Sequence, residues 1–412
     1  MKSEKKPSRR RAAATLIAAA LAGIVISHLF GYFRDMHRRS KNLGTVLPVP
    51  RADSGSGFRF SITPDTQKLL CIEDRFKRQK VYLSDFPPEG SGSYREVLTL
   101  PNYEHWASRP AFCGGDASKF ALVGCYWRGT DVPEFPEFKN KKEYESWIGA
   151  HPRYTLKTVN GETDIDYSLA GFYLVIADLN EGKSDFLLRI PDEISGEPAN
   201  ITTSLCWPLR DLIFLGIRDS VYKVSLQETP PKLEKILTLP KEIENAWFGS
   251  IKGMYYNTEE NTLTAAASYI NAIELGTEKQ RTTIRLAGCK FDLQEESLVS
   301  VDMTPEAVQA PRPVMSSDNS SIAAVALEET LLRAFIKRKG KISVMSFNGN
   351  MSETSLKIDS VAEESFPFLH YPEMETVSSD GSIIIYREGS KYRYRRIGLK
   401  ADELYSSHAA VP

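Results

Sequence analysis

Short runs of alternating or continuous apolar residues, each broken by a polar turn, recur along most of this chain. Phe58-Arg-Phe-Ser-Ile-Thr-Pro-Asp-Thr-Gln-Lys-Leu-Leu-Cys-Ile72 sets the pattern. Phe58 and Phe60 alternate with polar neighbours, which predicts a half-buried strand. Pro64-Asp65 is turn chemistry, because Pro presets φ and Asp bonds its own backbone. Leu69 to Ile72 is the apolar return strand. The unit recurs at Val314-Met-Ser-Ser-Asp318-Asn319, followed by Ser-Ser-Ile-Ala-Ala-Val325. It recurs again at Thr376-Val-Ser-Ser-Asp380-Gly381, followed by Ser-Ile-Ile-Ile-Tyr386.

Apolar strands ending in Pro punctuate the same stretch, at Pro101, Pro191 and Pro240. The order is then strand, polar turn, apolar strand, a strand carrying Tyr or Asp, and a closing strand. Six such units fit between residues 43 and 399, with turns at Pro64-Asp65, Gly115-Asp116, Pro208–Asp211, Asn257–Asn261, Asp318-Asn319 and Asp380-Gly381. A four-stranded unit iterated at this period predicts an all-β fold, a six-bladed β-propeller. A pair of β-sandwiches is the alternative. The sixth unit lacks a clear fourth strand, since 400–412 is a short polar tail. Leu43–Pro48 is the expected replacement, pairing into the last blade and leaving no open sheet edge. Ser378-Ser-Asp-Gly381 and Ser61-Ile-Thr-Pro-Asp65 resemble the turns of TolB-like and WD40-like propeller repeats of bacterial envelope proteins, over about residues 43–399. No Trp-Asp dipeptide occurs. The resemblance implies a non-catalytic, partner-binding role.

Ahead of the repeats the pattern changes. Residues 1–11 are polar and basic, and the 22 residues from Ala12 to Phe33 hold no Asp, Glu, Lys or Arg. As a helix they span about 33 Å, enough for a bilayer core. The expectation is a single transmembrane signal anchor at 12–33. Ala20-Leu21-Ala22 offers a signal-peptidase site as the alternative. Basic residues flank the span on both sides, six before it and four close behind. This bias puts the N-terminus in the cytoplasm and the propeller on the periplasmic or extracellular side. The linker 34–42 either touches anionic head groups or acts only as a stop signal.

Charge sharpens that division. Ten of the 52 Lys and Arg and two of the 53 Asp and Glu fall in residues 1–41, which leaves 42 bases against 51 acids in the rest. A mildly acidic body argues against nucleic acid as a partner. Cys71, Cys113, Cys125, Cys206 and Cys289 form no CxxC pair. They read as buried free thiols, or, for Cys113 and Cys125 in an oxidising compartment, as one disulfide across a hairpin.

Residues 131–170 interrupt the second repeat. Within them 140–150 predicts a short amphipathic helix with Tyr144, Trp147 and Ile148 on one face, a docking surface or a pad against a blade. A second excursion, Glu328 to Gly340, carries Leu331, Leu332, Ala334 and Phe335, then Lys337-Arg-Lys339. No catalytic residue, metal site or cofactor is indicated. GxSxG, HExxH, a Gly-rich phosphate loop and an acidic calcium loop are all missing from the sequence. Propeller ligands meet the loops that join one repeat to the next, and here those loops hold His105, Trp106, Arg109, Trp247, Arg312 and His370. These six form the expected ligand or partner surface, unless the Trp residues only plug gaps between blades. The function expected is a membrane-anchored interaction or scaffold module, an accessory subunit docking another membrane or envelope protein. The alternative is an enzyme or small-ligand receptor with its pocket at the propeller mouth.

Overall fold

The computed structural model describes residues 44–51, 57–75, 77–105, 108–114, 116–127, 140–157, 163–165, 170–191, 193–194, 197–198, 204–273, 281–303, 314–318, 321–332, 335–346, 358–359 and 373–396. The expected anchor at 12–33 lies outside these residues. No helix among the described residues is long and apolar enough to cross a membrane.

The repeats become antiparallel sheets. The third repeat is a sheet of Ser204–Leu209, Leu212–Ile217, Ser220–Ser225 and Leu233–Thr238. The fourth contains Ala246–Asn257, Thr262–Ile273, Arg281–Asp292 and Ser297–Met303, with Glu242–Ile243 added at its inner edge. The fifth contains Val314–Met315, Ser321–Leu332, Phe335–Ser346 and Ile358–Asp359. The last contains Glu373–Val377, Ile383–Glu388 and Lys391–Arg396, with Thr45–Val46 as its outermost strand. The segment expected to staple the ring therefore does so. The Leu47 amide donates to the Tyr392 carbonyl at 2.9 Å, and the Leu47 side chain is buried among Phe58, Phe60, Ile383 and Tyr392.

The first two repeats depart from the expectation of six separate blades. They form one eight-stranded sheet, so the ring has five blades, one of double width. Its strands include Gly57–Ile62, Lys68–Arg75, Lys77–Asp85 and Arg95–His105 from the first repeat. Ala111–Cys113, Asp116–Tyr126, Gly171–Asp178 and Lys183–Arg189 come from the second. The cause is that the fourth strand runs on past Pro101. Tyr103 pairs with Tyr126 and His105 with Cys125, which zips the two repeats together.

The fold assignment rests on the circuit of inner strands. Gly57–Ile62 lies against Glu373–Val377, which lies against Val314–Met315 through a parallel bridge from Ser316 to Val377. That strand meets Ala246–Asn257, which meets Ser204–Leu209, which meets Ala111–Cys113. The circuit returns to the sheet it began in, and stacked sandwiches have no such closure. The cores lie between sheet faces: Trp207 packs with Cys113 and Leu174, Phe214 with Met254 and Leu263, and Leu69 with Ile385.

The turn motif read from the sequence is built the same way each time. The Thr63 hydroxyl donates to the Asp65 carboxylate at 2.5 Å, Ser316 to Asp318 at 2.7 Å, and Ser378 to Asp380 at 2.5 Å. Asp65 also accepts from the Gln67 amide and Asp380 from the Ser382 amide. At both aspartates burial raises the carboxyl pKa, and the hydrogen bonds outweigh it, so each ends below the ordinary value. Asp116, bonded to Ser118, is lowered as well. A carboxylate with a depressed folded pKa stabilises the fold above its unfolded pKa, and that contribution is lost as the pH falls through the folded one. Stability should therefore hold from neutrality down to about pH 4 and decline below it. Urea titrations at successive pH values, with Asp380→Asn flattening the acid limb, check this.

The cysteines are the buried free thiols expected, and the alternative of a Cys113–Cys125 disulfide falls. Cys113 pairs with Asp116 and Cys125 with His105, so the hairpin register does not set the two thiols opposite each other. All five cysteines are free and buried. The second excursion, Glu328 to Gly340, falls within a pair of strands. Ser321–Leu332 and Phe335–Ser346 pair throughout, from Ser321 with Ser346 to Leu332 with Phe335.

Candidate functional site

All inner strands run in one sense, so their first residues gather at one end of the axis, the mouth. Arg109 enters there just before Ala111–Cys113. Its Nη2 donates to the Met374 carbonyl at 2.9 Å, and its Nη1 lies 3.5 Å from Glu375 Oε2. Residues 265 apart in sequence thus clasp the double sheet to the last one. Glu375 is only 8% exposed. Burial raises its carboxyl pKa; Arg109, Arg387 and Arg59 pull it back, and Glu373 pushes it up further. Glu373 is itself ion-paired to Arg387, its cross-strand partner.

A second polar chain leads from the mouth into the double sheet. Arg59 Nε sits 2.5 Å from Asp74 Oδ2. Asp74 accepts from Gln79 Nε2 at 2.8 Å, and Gln79 Oε1 accepts from the Tyr126 hydroxyl at 2.6 Å. Gln79 is wholly buried. Beside it, buried Glu73 accepts from the Tyr82 hydroxyl at 2.9 Å. Each charge drawn inside has a partner, which offsets the cost of its desolvation. Removing one member leaves the other stranded. Arg109→Ala should therefore cost about 3 kcal/mol, because it takes from buried Glu375 its ion-pair partner and the largest of the three favourable charges facing it. Glu375→Gln, which keeps the shape and drops the charge, should cost well under half of that; paired urea melts measure both.

The axis is bridged at the opposite end too. The Phe112 amide donates to the Ser317 carbonyl at 3.0 Å, and the Ser317 hydroxyl donates to the Ile62 carbonyl at 2.5 Å. These bonds tie inner strands from the first, second and fifth repeats to one another across the axis.

Of the six residues expected at the mouth, Arg109 sits in this charged cluster. His105 ends the strand Arg95–His105. Trp247 is not in a loop. It is the second residue of Ala246–Asn257, paired with Ile270, and is 61% exposed. Trp106, Arg312 and His370 lie outside the described residues. Trp127 and Trp207 are the tryptophans that fill gaps, each nearly fully buried. Sequence reading missed Arg59, Asp74, Glu373, Glu375 and Arg387. The available signal was a charge near the start of the first and last inner strands, in Arg59 and in Glu373-Met-Glu375.

In the insertion, helix α1 (Lys141–Ala150) forms as expected, capped by the Asn140 side chain accepting from the Glu143 amide at 3.0 Å. Its apolar face turns inward. Ile148 is buried, and Tyr144 and Trp147 pack on Trp127 of the body. His151 stacks on Trp147 at 4.3 Å, with its ring nitrogen 2.9 Å from the Trp147 carbonyl. Trp127→Ala should therefore release the insertion, giving faster proteolysis within 131–170 and a loss of about 3 kcal/mol.

The thiols are poor nucleophiles. Burial raises Cys71, Cys113 and Cys206, and holds Cys289 at about 11. No group of three or more His, Cys, Asp or Glu among the described residues is placed to hold a metal ion.

No protein-family model matches the chain, and no curated protein matches it. Among solved structures it is similar to the Dos1 propeller, at 9% identity and a TM-score of 0.39, covering 85% of this chain and 82% of that one. It is similar to the periplasmic gluconolactonase of Pseudomonas aeruginosa at 10% identity and a TM-score of 0.40, covering 85% and 83%. It is similar to prolyl oligopeptidase B from Galerina marginata at 12% identity and a TM-score of 0.35, covering 82% of this chain and 47% of that one.

Proposed function

We infer that this chain is a membrane-tethered β-propeller that works as a non-catalytic interaction or scaffold module, an accessory subunit of a larger membrane complex. One observation carries the reading. The bonds from Phe112 to Ser317 and from Ser317 to Ile62 bridge inner strands at one end of the ring, and Arg59, Arg109 and Arg387 at the mouth are each ion-paired to a carboxylate of the same body. On this reading recognition falls to the outer surface. The apolar span at 12–33 supplies the tether, with the N-terminus cytoplasmic and the body on the periplasmic or extracellular side. Native mass spectrometry of the full chain extracted in mild detergent should find it in a stoichiometric complex with another membrane protein. A clean monomer across several mild detergents would sink the proposal. Carbonate washing, which strips peripheral proteins, should leave the chain in the membrane pellet.

The runner-up is an enzyme or small-ligand receptor with its pocket at the mouth. It is favoured by one feature, a buried carboxyl of raised pKa, Glu375, next to Arg109. On that reading Glu375→Gln would abolish ligand binding or turnover; on the scaffold reading the complex survives it.

A further inference from the structure

We propose that the outer edge of the fourth sheet, the strand Ser297–Met303, takes an added strand from the partner, an uncharged β-branched segment with Lys or Arg at the end that reaches Glu295 and Glu296. The inference rests on the scaffold reading above and says where its contact is made.

An open sheet edge invites pairing, and proteins ordinarily blunt it with charge, Pro or a very short strand. The other described outer strands follow that rule. Lys183–Arg189 carries Lys183, Asp185 and Arg189, and Leu233–Thr238 carries exposed Glu234 and Lys235. Thr45–Val46 and Ile358–Asp359 have two residues each. Ser297–Met303 has seven residues and no charge from 297 to 301. It bonds to Arg281–Asp292 on one side, and no described strand pairs with the other. Leu298 is 43% exposed and Val299 56%. Val299 is the extra residue of a bulge, since Leu298 pairs with Phe291 and Ser300 with Lys290. Ile236 is the extra residue of the same bulge in the third sheet, and there it packs half-buried against the core. In the fourth sheet the device leaves two consecutive apolar side chains in water.

Charge selects the occupant. The strand leaves a turn, 293–296, in which Glu295 and Glu296 are exposed. Glu259 is exposed in the turn 258–261, at the same end of the sheet because Thr262 pairs with Asp292. None of these three glutamates is ion-paired among the described residues, and nearby Lys290 is held by Glu260 at 2.7 Å. A second copy of this chain, pairing antiparallel along the same edge, would bring Glu296 of each copy to the Asp302 end of the other, like charge on like. A partner segment with Lys or Arg at that end meets opposite charge instead, while its backbone satisfies the edge and its alternate side chains cover Leu298 and Val299.

The probe is an amidated peptide of alternating Thr and Val with two Lys at each end, so that it can add in either direction; its counterpart has Glu in place of Lys. Each is titrated into the full chain in mild detergent, with hydrogen exchange read at the amides of Ser297–Met303. The Lys peptide should slow exchange there. The Glu peptide should bind about tenfold more weakly or worse, and combining Glu295→Lys with Glu296→Lys should reverse that order. Combining Leu298→Lys with Val299→Lys should abolish the protection without moving the melting curve, both side chains being exposed. In native mass spectrometry the same double variant should lose the partner that the parent retains. The proposal is overturned if the Lys peptide protects nothing or protects another strand, or if the two peptides act alike. Amides already slow before peptide is added would overturn it too, because the chain then covers its own edge, or a second copy does if the protection grows with protein concentration. A complex that survives Leu298→Lys with Val299→Lys would overturn the docking edge and leave the scaffold reading standing. A parent chain with no complex at all would sink the scaffold reading, with the peptide titration still deciding the edge.

Discussion

Gly114→Ala should destabilise the protein by about 4 kcal/mol or more, a loss reserved for changes the structure cannot absorb. A β-carbon built on Gly114 would lie 1.9 Å from the Pro208 carbonyl oxygen. The obstacle is backbone on both sides, since the Gly114 amide donates to the Trp207 carbonyl at 2.7 Å. Relief would require pulling the second repeat's inner strand from the third's and would break that bond. A flexible side chain in the way could swing aside; a strand in a bonded sheet cannot. Gly57→Ala is the control. Nothing lies within 4 Å of its added carbon, so it should stay within about 0.5 kcal/mol of the parent. Urea midpoints of the two variants should differ widely. Coincident midpoints would mean that the inner strands do not approach as described.

Leu47→Pro should be the second large effect, because it strikes the closure twice. Leu47 is 2% exposed, in a cluster shared by the first and last repeats. Removing its bulk costs about 2–5 kcal/mol, as for other buried Leu truncations. Proline also deletes the amide that donates to the Tyr392 carbonyl. Leu47→Ala keeps the amide and isolates the first cost. Tyr392→Phe addresses the same seam from the other side. The Tyr392 hydroxyl lies 3.2 Å from both the amide and the carbonyl of Phe58, standing in for a strand partner. Its loss should cost about 1–3 kcal/mol through the orphaned Phe58 groups. Because Leu47 and Tyr392 share this seam, the double variant should lose less than the sum of the single ones.

What could be read from the sequence was local. The Ser-or-Thr, Asp turns were legible because each is closed within a few residues, Ser378 to Asp380 being typical. Helix α1 was legible because Tyr144, Trp147 and Ile148 recur at helical spacing. The stapling strand was legible by subtraction, since the last repeat was one strand short. Fusion of the first two repeats was hidden. It depends on Tyr103 and His105 finding Tyr126 and Cys125, a choice between edges that no local pattern encodes. The mouth cluster was hidden for the same reason, Arg109 and Glu375 meeting only when the ring closes. The long hairpin Ser321–Leu332/Phe335–Ser346 was mistaken for an excursion because its apolar end and basic shaft break the strand alternation.

Closure of the ring by its own leading strand underlies everything proposed for the mouth and the outer surface. Hydrogen exchange at the Leu47 amide in the full chain tests it directly. The account predicts protection matching that of the amides in Ile383–Glu388, because the Tyr392 carbonyl holds this proton. Exchange as fast as in an unstructured linker, with Ile383–Glu388 still protected, would contradict it.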